Sequence, residues 1–153
     1  MQNEPVHILL ADEHENGRLI FIQAFEEIKI NIIVKIVENK VELINHFIQP
    51  HVILPHVVIL EKNLLFTKLP ICDLIGVKKT TLLDKIPIAV YSNSVPEKEI
   101  EKDMEEVLAK GANIYIKKPH NVGVLKSVLS TIIKHTWHYH HSGLNKDNFM
   151  LSL

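Results

Sequence analysis

The chain has 153 residues, 46% of them apolar and 23% charged, with a net charge of −1. That length predicts one domain, residues 1–136, able to bury its own core, with a tail at 137–153. The near-zero charge excludes a global field for nucleic acid, the lone cysteine (Cys72) excludes an internal disulfide, and no apolar run reaches bilayer length.

The start, MQNEPVHILL, lacks the basic stretch of a secretory leader, so a cytoplasmic, membrane-free protein is expected. Residues 6–10 form a short apolar run suited to a strand buried on both faces. Asn16 is placed to cap a helix whose apolar residues Leu19, Ile20, Ile22, Phe25 and Ile28 recur at helical spacing. Residues 32–37, rich in β-branched side chains, predict a second strand. Val41, Leu43, Ile44, Phe47 and Ile48 predict a second helix, closed by Pro50.

The apolar run at 57–60 predicts a third strand, followed by a loop at 64–70 in which Leu64, Leu65 and Phe66 are expected to be buried by the third helix, the alternative being an exposed partner surface. A third helix is placed at 71–79, with Cys72 as a small apolar residue, and a fourth strand at 86–91. Pro96 suits the first turn of a fourth helix. Its stripe is Ile100, Met104, Val107 and Leu108, and Gly111 is its C-cap. A fifth strand at 113–117 and a fifth helix from 122 to about 135 complete five strand–helix alternations. Right-handed crossovers turn that order into a doubly wound parallel sheet covered on both faces.

In such a sheet, the strand ends converge on one crevice. Here they carry Asp12, Glu13, Glu61, Ser92 and Lys118. Three carboxylates together repel one another, and a hard cation such as Mg2+ relieves that. A hydroxyl and an ammonium opposite suit a phosphoryl group. Ser92 lacks the G-x-S-x-G elbow of a nucleophile, and the five glycines do not cluster into a phosphate loop. His135, His138, His140 and His141 lie in HTWHYHH, read as an exposed tail with no supporting Cys for a structural zinc site.

At this point the chain resembles the receiver domain of two-component response regulators over residues 6–133. The matching pieces are ILLADEHENGRLIF, PHVVILEKNL, IAVYSNS and GANIYIKKP, in that order. The resemblance implies a CheY-like, flavodoxin-like three-layer sandwich with strand order 2-1-3-4-5. It implies a stand-alone signalling module, not an enzyme. Asp12 and Glu13 match the acidic pair, Glu13 as direct metal ligand and Asp12 through water. Glu61 matches the phosphoacceptor aspartate and a metal ligand, and Asn63 the residue whose backbone carbonyl completes the Mg2+ site. Ser92 and Tyr115 match the switch pair, Lys118 the phosphate-contacting lysine, and Pro119 the proline after a cis bond.

Glu replaces Asp at 13 and 61. The extra bond at Glu61, about 1.5 Å long, displaces the carboxylate from its place for in-line attack, so efficient phosphorylation is not expected. Two consequences stay open: Glu61 pairs with Lys118 and biases the switch, or the pair is inert. The implied partners are a histidine kinase, another signalling protein or a second copy, met through the fourth helix, fifth strand and fifth helix. Alternatives are a working Mg2+-dependent phosphoacceptor and an unrelated α/β binding protein.

Overall fold

The computed structural model describes residues 4–49, 53–65, 86–93, 95–117, 121–142 and 151–152. In chain order the elements are β1 (Val6–Ala11), α1 (Glu15–Glu27), β2 (Ile32–Val37), α2 (Lys40–Ile48), β3 (Val57–Glu61) and α3 (Lys62–Leu65). Then come β4 (Ile88–Tyr91), a 3-10 turn (Glu97–Glu99) leading into α4 (Ile100–Ala109), β5 (Ile114–Ile116), α5 (Val122–Ser142) and β6 (Leu151–Ser152).

The sheet runs β2-β1-β3-β4-β5-β6, with every pair parallel. Its first five strands have the expected doubly wound order. The register places Ala11 opposite Leu60 and Glu61 opposite Tyr91, so the strands' carboxyl ends lie side by side.

Alternation along each strand divides the core in two. Ile8, Leu10, Val57, Ile59 and Tyr91 pack against Phe21 and Phe25 of α1 and Leu125 and Leu129 of α5. Leu9, Val58, Leu60 and Val90 pack on the other face with Leu43 and Phe47 of α2 and Val107 of α4. The edge strand β2 alternates half-buried and exposed residues, whereas β3 is buried throughout. Both patterns follow from position in the sheet.

Local signals explain several boundaries. The Asn39 side chain accepts from the Glu42 amide and starts α2. Gly111 adopts φ 107° after α4, a conformation that glycine reaches without strain. Leu64 and Leu65 are buried, as expected.

Four features differ from the sequence reading. Leu64 and Leu65 lie in helix α3, where a loop is expected. Helix α1 begins at Glu15 with His14 as its N-cap, so Asn16 lies inside it. Helix α5 runs on to Ser142, absorbing the first six residues assigned to the tail. Its stripe continues through Thr136 and Tyr139, both buried, where the His-rich composition had pointed to an exposed tail. Beyond it, Leu151 pairs with Ile114 and Ser152 with Tyr115, adding a sixth strand. Phe66, the helix expected at 71–79 and Cys72 lie outside the described residues.

Candidate functional site

The carboxyl ends of β1 and β3 bring Asp12 and Glu61 together, and α1 begins beside them. Asp12 is fully buried. Its carboxylate accepts from the Tyr91 hydroxyl at 2.6 Å and the His14 amide at 2.9 Å, with the His14 Nδ1 at 3.3 Å. The Asn93 amide group lies 3.4 Å from both Asp12 oxygens. Arg18 donates to the Asp12 carbonyl at 2.8 Å, tying the first turn of α1 to the end of β1. Gly17 closes this corner. A Cβ there would fall 2.7 Å from Asn93 Oδ1 and nearer still to the Asp12 carboxylate.

Glu61 is 3% exposed, and its Oε2 accepts from the Asn63 amide at 2.9 Å. Burial pushes its carboxyl above the usual range, the Asn63 bond pulls it back, and the charge of Asp12 raises it again. Burial likewise drives the Tyr91 phenol far upward, and its bond to Asp12 adds to the shift. A cavity of about 350 Å³ opens above Glu61, lined also by His14, Asn63, Ser92 and Asn93.

One ligand atom from each of Asp12, His14 and Glu61 lies within 4.8 Å of the others, a spacing a single cation can bridge. Glu13, the expected direct ligand, is exposed and is not in that group, whereas His14 is. Asn63 reaches this corner through its backbone amide, which donates to Glu61.

Ser92 and Tyr115, the expected switch pair, face a different carboxylate. Ser92 Oγ donates to Asp103 Oδ2 at 2.8 Å, and the Tyr115 hydroxyl donates to the same oxygen at 2.5 Å. Lys62 donates to Asp103 Oδ1 and approaches Glu106 at 3.4 Å. Burial alone would push the Asp103 carboxyl up, but the bonds from Lys62, Tyr115 and Ser92 outweigh it and hold the group below the usual range.

Lys118 and Pro119 lie outside the described residues, and with them the expected Glu61–Lys118 pair and cis bond. Residues absent from the sequence reading are His14, Tyr91, Asn93 and Asp103. His14 directly follows the acidic pair, which is a readable signal. Asp103 stands three residues after Ile100 and four before Val107, so a charge interrupts an apolar stripe; that too was legible.

No protein-family model matches the sequence, and neither does any curated protein. Solved structures do match the fold. A response regulator in red light signalling of R. palustris has 19% identity and TM-score 0.66, covering 88% of this chain and 92% of its own. The phosphorylated cyanobacterial phytochrome response regulator RcpA has 19% identity and TM-score 0.65, covering 91% and 96%. The receiver domain of a sensor histidine kinase from Pseudomonas aeruginosa PAO1, with magnesium coordinated in its active-site cleft, has 16% identity and TM-score 0.60, covering 86% and 99%. This chain therefore has the fold of response-regulator receiver domains.

Proposed function

We propose that the chain is a degenerate, stand-alone receiver that acts in two-component signalling by protein–protein contact, without efficient phosphorylation at Glu61. The observation supporting this reading is the setting of Glu61. It closes β3 beside Asp12 at the carboxyl ends of the strands, and one of its oxygens is engaged by the Asn63 amide. Its arm is one methylene longer than aspartate, and a displacement near 1 Å can cost an in-line reaction about 100-fold. On this reading the chain is a signalling module, and its partners are a histidine kinase, another regulator or a second copy.

Incubation with acetyl phosphate and Mg2+, followed by intact mass, tests it. The parent is expected to stay unmodified and Glu61→Asp to gain one phosphoryl group. A stoichiometric gain in the parent that Glu61→Gln abolishes overturns the reading.

Asp12, His14 and Glu61 favour a second reading, in which the crevice retains a cation. Two carboxylates and an imidazole fit a divalent ion, and the imidazole favours Mn2+ or a later transition ion over Mg2+, which prefers an all-oxygen shell. A bound cation would supply positive charge for phosphoryl oxygens. The three side chains would hold it, and the two carboxylates would lose their mutual repulsion. Ligand binding to the folded state raises the melting temperature. Mn2+ should therefore stabilise more than Mg2+ at equal concentration, and His14→Ala should erase the difference. Melting curves indifferent to both ions remove the cation from the picture.

A further inference from the structure

Asp103 lies in the first turn of α4 and is 4% exposed, on the face that also carries Ile100 and Val107. A lone buried carboxylate there would be strongly disfavoured. It is instead enclosed by three donors from three other places in the chain: Lys62 just after β3, Ser92 just after β4, and Tyr115 within β5. Each hydroxyl has one proton, and both protons go to the same oxygen, Oδ2. Lys62 supplies the counter-charge at Oδ1.

Two of the donors, Ser92 and Tyr115, match the pair with which a receiver would read its site. Ser92 also lines the cavity above Glu61, but its proton is committed away from that cavity. Tyr115 is buried against the same carboxylate. Lys62 directly follows Glu61, so the backbone carrying the acid also carries the counter-charge. For Ser92 to donate into the crevice, Asp103 must lose a charge-assisted bond within a poorly solvated site.

We propose that Asp103 is a positioning residue that holds Ser92 and Tyr115 in one fixed arrangement, with Lys62 as its counter-ion. The surface built from α4 and β5 is thereby set by an internal carboxylate instead of by an event at Glu61. This rests on the degenerate-receiver reading and supplies its regulation: the switch is clasped from within.

The direct readout is the titration of the Asp103 carboxyl carbon by NMR, in the parent and in Lys62→Met, Ser92→Ala and Tyr115→Phe. Each variant removes one donor that favours the charged form. Each should move the Asp103 midpoint upward, which a merely space-filling role would not do. In Asp103→Asn, amide exchange across residues 88–93 and 114–116 should rise about tenfold or more. If Asp103→Asn does not fold, the three donor variants decide the matter alone. An Asp103 midpoint unchanged in all three overturns the proposal, as does unchanged exchange in a folded Asp103→Asn. Phosphorylation of the parent, read by mass, would sink the functional reading but leave these titrations to stand or fall by themselves.

Discussion

Two buried carboxylates, Glu61 and Asp103, are treated in opposite ways. Asp103 receives an ammonium and two hydroxyls, and its ionised form is favoured. Among the described residues Glu61 receives one main-chain amide, and burial together with the charge of Asp12 disfavours its ionised form. A carboxyl whose folded value is raised binds its proton more tightly folded than unfolded. The associated stability is fully present below the unfolded value and is lost as pH rises through the folded one. At neutral pH, in metal-free buffer, Glu61 is therefore a cost that glutamine does not carry. Glu61→Gln should melt higher than the parent at pH 7, and a gain of about 1 kcal/mol corresponds to roughly 2–4 °C in a chain of this size. The gain should shrink as pH falls through the carboxylate range. A pH-independent difference between the two proteins would show that Glu61 is not the titrating group.

At the scale of elements, α1 is fixed by its first turn. Gly17 is buried against Asp12, and Asp12 is held by Tyr91, whose ring packs 4.6 Å from that of Phe21. Alanine is the better helix former by about 1 kcal/mol. Yet its methyl would meet Asn93 and a fully buried carboxylate that cannot shift without breaking the Tyr91 bond. Overpacking of this kind costs about 1–3 kcal/mol, so Gly17→Ala should lower the melting temperature despite its propensity. A rise would mean that Asp12 moves freely.

The same elements show what could be read beforehand and why the rest could not. Strands β1 and β3 announced themselves because full burial needs unbroken apolar runs, and α4 because Gly111 ends it. The span of α5 was cut short because HTWHYHH is polar in composition, although Ile132, Thr136 and Tyr139 keep the helical spacing of buried positions. Asp12 and Glu61 were legible as strand ends. His14 was legible only as the neighbour of the acidic pair; that its ring turns toward Asp12 was not, because the direction of a side chain at a helix entry depends on backbone geometry that no local pattern encodes. The Asp103 network was hidden for a related reason: Lys62, Ser92 and Tyr115 reach it across up to 41 residues of chain.

For the molecule as a whole, the sheet is the rigid body and its two edges differ. The β2 edge carries Lys35 and the half-exposed Ile33. A charged side chain there discourages strand addition. The other edge, β5, is apolar and short, and β6 covers it with two paired residues. Two pairs add little to stability against a core this extensive, so truncation after Ser142 should lower the melting temperature only slightly. It would, however, uncover the outer backbone groups beside Ile114 and Tyr115, and an unpaired apolar edge is a template for another chain. Sedimentation over a range of concentrations should then find more self-association in the truncated protein than in the parent. Equal behaviour of the two would mean that β6 is not what guards this edge. On the proposed receiver reading the comparison bears on signalling, because Tyr115 faces Asp103 with its side chain while its backbone pairs with Ser152: one residue joins the clasp to the edge.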